Sequence, residues 1–147
     1  MKVVIQRSKN SNVVIDGNVY NEIDKGLVIL SCFTENDTLE DINYIVKKVT
    51  NLRIFDDENG VMNKSIIDIG GSILSISQFT LYADTRKGNR PSYMKALNGS
   101  LATNLYDKFN EELSNIVETK TGVFGADMTL NITNDGPVTI IIDTENK

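Results

Sequence analysis

Only two stretches of this chain repeat an apolar residue every three or four positions. The first is Asp37–Asn51, where Leu39, Ile42, Ile45, Val46 and Val49 form one stripe. The second is Ser100–Val117, where Leu101, Leu105, Phe109 and Leu113 recur, widened by Ala102, Tyr106, Ile116 and Val117. A stripe at helical spacing has to be buried against another element. Everything around these two stretches is β-type, so the helices need a sheet to pack on. Asp37 is placed to cap the first helix, with Glu40 three residues on, and Lys47 and Lys48 fall where cations suit the helix dipole.

The β-type runs follow in order. Lys2–Arg7 and Asn12–Ile15 are short runs, and Val19–Ile23 alternates after a hairpin signal at Asp16-Gly17-Asn18. Leu27–Phe33 is continuously apolar, which suits a strand covered on both faces. Leu52–Phe55 reads as a strand before the acidic turn Asp56–Gly60. Ser65–Ile69 and Ser72–Phe79 read as a hairpin about Gly70-Gly71. Glu118–Phe124, Asp127–Thr133 and Val138–Ile142 complete the set, and the tail Thr144–Lys147 reads as frayed. The expectation is a single mixed α/β domain over residues 1–147. It has a strongly twisted, mostly antiparallel, barrel-like sheet system packed against two main helices.

Composition matters chiefly through what is missing. The chain has no histidine and one cysteine, Cys32. That removes Ser-His-Asp and Cys-His triads, the usual proton shuttle near neutral pH, and histidine- or thiolate-built metal sites. The acidic turn lacks the alternating oxygen ligands and terminal glutamate of a calcium loop, so it reads as solvated. No metal and no cofactor are expected. The net charge of −5 argues against broad, sequence-independent nucleic-acid binding, DNA included. No apolar run is long enough to span a membrane, and MKVVIQRS reads as too short and too polar for a signal peptide. A lone cysteine suits a reducing cytoplasm as the expected location.

Two stretches stand out as candidate sites. In Ser77–Tyr93, SQFTLYADTRKGNRPSY, a strand runs into a loop carrying Arg86, Lys87 and Arg90 around Gly88. That pattern is either an ordinary solvated turn or a sheet edge equipped for anion contact. In Asn134–Pro137 a proline follows glycine within a tight connection between strands. Gly136-Pro137 is either a plain hairpin turn or a rigid gauge whose carbonyls face a ligand. A strand-end arginine such as Arg7 is ordinarily solvated.

Ser77–Tyr93 and TGVFGADMTLNITNDGPVTI (Thr121–Ile140) resemble the two signature blocks of the D-aminoacyl-tRNA deacylases. VIQR (Val4–Arg7) and NLRIFDDENGVMN (Asn51–Asn63) resemble the same family, so the likeness runs nearly end to end. It implies a cytoplasmic homodimer, with active sites at the subunit interface, that hydrolyses the ester joining a D-amino acid to the terminal adenosine of tRNA. Ser77, Gln78, Phe79 and Thr80 would form the catalytic wall. Gly136-Pro137, cis in the family, would be the chirality filter reaching into the neighbouring subunit, with Arg7 as its brace. Phe124, Gly125, Ala126 and Met128 would lie near the adenine, and Arg86, Lys87 and Arg90 would contact tRNA phosphates. Glycine, being achiral, would pass the filter, which implies activity on glycyl-tRNA mischarged on alanine tRNA.

Thr80 is the obvious hydroxyl nucleophile, yet no neighbouring base in the sequence activates it. A substrate-assisted route is the alternative favoured by the residues. In it the ribose 2′-hydroxyl helps activate water and backbone amides near Phe79-Thr80 hold the oxyanion. Two rivals from other classes are a non-catalytic tRNA- or nucleotide-binding module and a purely structural oligomerisation domain. A metal-dependent hydrolase ranks last for want of ligands.

Overall fold

The sheet grows from one long hairpin. Strands β1 (Lys2–Ile15) and β2 (Asn18–Cys32) pair antiparallel from Lys2↔Cys32 to Ile15↔Asn18. They turn at Asp16 and Gly17, both at positive φ (50° and 78°), as a tight hairpin requires. The computed structural model describes all of residues 1–147. The sequence suggests two short runs in place of each strand, but the polar interruptions stay in the ladder. Ser8 and Ser11 are fully buried there, and Ser11 Oγ accepts the Thr133 N–H at 3.1 Å.

Helix α1 spans Leu39–Asn51, and two very short strands follow, β3 (Phe55–Asp56) and β4 (Met62–Lys64). Next come helix α2 (Ile66–Ile69), strand β5 (Ser72–Ser77) and a 3-10 turn over Phe79–Tyr82. Helix α3 covers Gly99–Ser114, and β6 (Thr119–Thr121), β7 (Thr129–Asn131) and β8 (Asn134–Asp143) complete the order. The sheet runs β6-β5-β2-β1, and β1 is then shared along its length between β8 and β7. The β2–β5 and β5–β6 pairs are parallel; the others are antiparallel, so the expected mixed, mostly antiparallel class holds.

Each face of the sheet has its own core. Leu27 and Ile29 face α1 and α3 and join Ile42, Ile45, Val49, Tyr106, Phe109 and Leu113. Val28 and Leu74 face the other way, into a smaller cluster with Val13, Ile23 and Ile76, covered by Met128, Leu130 and Ile132. This explains the unbroken apolar run in β2: alternate residues serve opposite cores. Gly26 is required where β2 meets β5, because a Cβ there would lie 1.8 Å from the Ser72 carbonyl oxygen.

Several expectations are corrected. Ser65–Ile69 is not a strand: Ser65 caps α2, its Oγ accepting the Asp68 N–H at 3.2 Å while Asp68 accepts the Ser65 N–H at 2.8 Å. Gly70 ends that helix at φ 61°, so Gly70-Gly71 is a helix stop, and β5 pairs parallel with β2 instead of forming a hairpin. The cap of α1 is Thr38 with Asp41; Asp37 instead accepts the Thr34 N–H at 2.6 Å. Leu39, Leu101 and Ile116 are exposed, at the helix ends where each stripe rotates off the core. The strands expected over Leu52–Phe55, Glu118–Phe124 and Asp127–Thr133 shrink to β3, β6 and β7. The tail is not frayed: Thr144–Asn146 forms a 3-10 turn, and the Thr144 N–H donates to the Met1 carbonyl at 2.9 Å.

Candidate active site

Parallel pairing brings the C-terminal ends of β2 and β5 side by side, with Ser31 opposite Ser77. Ligands in open α/β sheets sit beyond such strand ends. Here a cavity of about 430 Å³ opens there, with Ser31, Cys32 and Phe33 on one strand end and Ser77, Gln78 and Phe79 on the other. Its remaining walls come from Phe124–Met128 and from the start of α3 at Asn98, Gly99 and Ala102.

The SQFT wall is shaped by the break in β5. The Gln78 N–H donates to the Ser31 carbonyl at 2.7 Å, which is the last ladder bond before the chain curls into the 3-10 turn. Within that turn the Leu81 N–H reaches the Gln78 carbonyl (3.2 Å) and the Ala83 N–H reaches the Thr80 carbonyl (3.0 Å). The amides of Phe79 and Thr80 come before the turn's first internal donor and have no acceptor within it. Thr80 itself does not line the cavity. Its Oγ1 accepts from Gln78 Nε2 at 2.6 Å, and Gln78 does line it. No carboxylate or amine approaches the Thr80 hydroxyl in the hydrogen-bond network to serve as its base. The Phe79 ring is half-exposed and packs edge-on against Tyr93 at 5.0 Å.

The opposite wall is fixed from beneath. The Tyr106 hydroxyl and the Gly122 N–H both donate to the Ser75 carbonyl, at 2.8 and 3.2 Å. The Phe124 ring lies against Tyr106 at 5.8 Å. Gly122 lets Met128 pack close: a Cβ there would sit 2.6 Å from Met128 Sδ and push that side chain aside. Burial pushes the Tyr106 phenol up to about 12, and the Cys32 thiol up to about 11. Both therefore stay protonated and act as hydrogen-bonding and packing groups. Cys32 donates weakly to the Phe79 carbonyl at 3.4 Å. No cluster of three Cys, Asp or Glu side chains is arranged to hold a metal ion.

Gly136 and Pro137 lie elsewhere, at the β1–β8 pairing. Gln6 is opposite Thr139 and Ser8 is opposite Asn134, so Arg7 alone faces the four residues Asp135–Val138. Those residues are pushed out of the ladder as a bulge, with Gly136 and Pro137 exposed at its crest. The peptide between them is cis, and Gly136 has φ 127°. A Cβ on Gly136 would meet Val138 Cγ2 at 2.9 Å and Arg7 Nη2 at 3.0 Å.

Arg7 is not solvated as a strand-end arginine ordinarily is: it is buried beneath this turn. Its Nε–H donates to the Asp135 carbonyl (3.0 Å), and Nη1 donates to the buried Ile54 carbonyl (2.8 Å) and to Asp56 (3.3 Å). Burying a guanidinium requires this degree of pairing.

The basic loop is less uniform than its sequence. Arg86 is clamped by Asp84, with Nε and Nη2 at 2.9 and 2.6 Å from its carboxylate, which drops the Asp84 carboxyl well below the usual range. Lys87 and Arg90 are exposed and form no ion pair.

The structure thus gathers Ser77, Gln78, Phe79, Phe124, Gly125, Ala126 and Met128 around one cavity and leaves Thr80, Arg7, Gly136 and Pro137 outside it. Sequence alone marks none of Ser31, Cys32, Phe33, Asn98, Gly99 and Ala102 as site residues. The signal for the first three was the end of the apolar run in β2, which becomes informative only once β2 and β5 are known to be parallel neighbours.

The D-Tyr-tRNA(Tyr) deacylase family model matches residues 4–143. The D-aminoacyl-tRNA deacylases of two Bacteroides fragilis strains are each 56% identical over 149 aligned positions, covering 100% of this chain and 99% of each relative. Among solved structures, the c-Myc DNA unwinding element binding protein superposes with a TM-score of 0.93 at 37% identity, over 98% of this chain and 99% of its own. A probable eukaryotic D-amino acid tRNA deacylase shares the fold, with a TM-score of 0.80 at 16% identity over 96% and 97% of the two chains.

Proposed function

This chain belongs to the D-Tyr-tRNA(Tyr) deacylase family and is a D-aminoacyl-tRNA deacylase, a hydrolase; on that premise we propose how its two separated regions share the work. The cavity takes the aminoacylated end of tRNA. The apolar wall of Phe124, Gly125, Ala126 and Met128 receives the adenosine. The ester carbonyl sits at the cavity's rim beside Phe79, against the Phe79 amide and the Thr80 amide that follows it just beyond the lining. Water attacks the carbonyl carbon, assisted by the ribose 2′-hydroxyl, and these amides hold the oxyanion that forms. Collapse breaks the bond to the 3′-oxygen, which leaves protonated, and the products are the free D-amino acid and tRNA. The carrying observation is the absence of any base beside Thr80 Oγ1, together with backbone donors in the turn that lack acceptors within it.

Stereoselection falls to Gly136-Pro137. The turn lies outside the cavity of its own chain, so it acts on the cavity of a second copy. β8 supports that reading: it is an edge strand, and Ile141 is 65% exposed on it. The crest meets an L-configured substrate sterically and admits a D-configured one. Glycine carries no side chain to be refused, so glycyl-tRNA mischarged on alanine tRNA is a second substrate. Lys87 and Arg90 contact tRNA phosphates. No helix is long and apolar enough to cross a membrane, in keeping with a cytoplasmic tRNA-editing role.

Matched D-tyrosyl- and L-tyrosyl-tRNA, incubated with the purified chain and chelator, test this reading. Release of D-tyrosine alone is expected. Release of both removes the filter, and release of neither with tRNA still bound leaves a binding module.

A further inference from the structure

Arg7 holds the Gly136-Pro137 bulge at its first residue, through the Asp135 carbonyl. The last residue is held differently. Asn134 Oδ1 accepts the Val138 N–H at 3.1 Å, a bond that reaches across Asp135, Gly136 and Pro137. Asn134 Nδ2 donates to Thr139 Oγ1 at 3.0 Å, and that hydroxyl also accepts from Gln6 Nε2 on β1 at 3.3 Å. The carboxamide therefore spends its acceptor on closing the bulge and its donor on tying that closure to the neighbouring strand.

We propose that Asn134 is a positioning residue for stereoselection: its side chain closes the bulge so that Gly136 and Pro137 present one fixed outline to the substrate. This rests on the reading that the turn filters configuration. The physical need is clear. Arg7 alone faces the bulge, so the regular ladder lapses over Asp135–Val138, and Pro137 has no N–H to offer. A steric filter that can yield rejects nothing, and a loop pinned at one end samples many outlines. Arg7 and Asn134 pin opposite ends.

The residue lies at the surface and is only partly buried, so replacing it opens no core void. Asn134→Ala removes both bonds, whereas Asn134→Asp keeps an acceptor for Val138 while it loses the donor and adds a charge beside Asp135. The test compares kcat/KM on D- and L-tyrosyl-tRNA for both variants, with Pro137→Ala alongside, and follows hydrogen exchange of the Val138 amide by NMR. Asn134→Ala is expected to lower the D-to-L ratio about tenfold and to speed Val138 exchange by a similar factor. Asn134→Asp is expected to keep most of both. Should the alanine chain fail to fold, Asn134→Ser, whose hydroxyl is too short for this bond, carries the same expectation. An unchanged ratio in Asn134→Ala, with the ratio lost in Pro137→Ala, overturns the role of Asn134. An unchanged ratio in Pro137→Ala as well overturns the filter itself and the proposal with it.

Discussion

The cavity and the Gly136-Pro137 turn grow from the same sheet by opposite means. The cavity is concave: two parallel strands end together, apolar side chains wall the space, and backbone amides at the break in β5 lack acceptors within their turn. The turn is convex: it is extruded from an antiparallel pair, and polar side chains pin it, with Arg7 beneath and Asn134 across. On the proposed reading, one region lowers a barrier and the other only refuses a shape. If chemistry and stereochemical choice are divided this way, mutation should separate them.

The largest separation should come from Phe79. Phe79→Ala removes the ring and keeps the amide, whereas Phe79→Pro also removes the N–H, at the first position of a turn where proline is tolerated. The proline chain should lose a further ~100-fold or more in kcat on D-tyrosyl-tRNA, in the range of a missing oxyanion donor. Equal rates for the two variants in single-turnover assays would remove the amide from the mechanism. Next in size is Gly136→Ala, whose Cβ would crowd Val138 and Arg7 at a positive φ. It should lower the D-to-L ratio by roughly tenfold or more while leaving the cavity's lining untouched. Comparing kcat/KM on the two substrates checks it, and an intact ratio would show that the crest does not select.

Thr80→Val should cost less than about tenfold in kcat, because the amide survives; loss of a true nucleophile costs a thousandfold or more. Lys87→Ala and Arg90→Ala should each reduce the salt slope of tRNA binding by about one. Arg86→Ala should reduce it less, since Asp84 already neutralises that guanidinium. Smallest of all is Cys32. Its thiol, pushed up to about 11, is protonated at pH 8, so iodoacetamide at that pH should leave deacylation unchanged and the thiol unmodified by mass.

The two regions also differ in how far they could be read from sequence. The helices were legible because burial imposes a spacing, and β2 because two cores impose an unbroken apolar run. Both signature stretches were visible as departures from regular patterning. Arg7 was not legible from residue type: its burial depends on the Ile54 carbonyl and Asp56, which reach it from a distant part of the chain. The strand expected at Ser65–Ile69 failed because its β-favouring isoleucines were outweighed by a local cap. Ser65 and Asp68 satisfy each other's amides, and no period of two or four shows that. The Ser31–Phe33 side of the cavity depends on parallel pairing of β2 with β5, a long-range choice with no local signature.

The most direct test mixes two defective chains. Pro137→Ala should cleave L-tyrosyl-tRNA, and Phe79→Pro should cleave neither substrate. If the filter acts across the subunit boundary, a mixed dimer covers the cavity of the first chain with the intact turn of the second. Excess Phe79→Pro chain, with subunit exchange verified by native mass spectrometry, should suppress L-tyrosine release by Pro137→Ala while D-tyrosine release persists. Unchanged L-tyrosine release despite verified exchange would contradict a filter that acts across the subunit boundary.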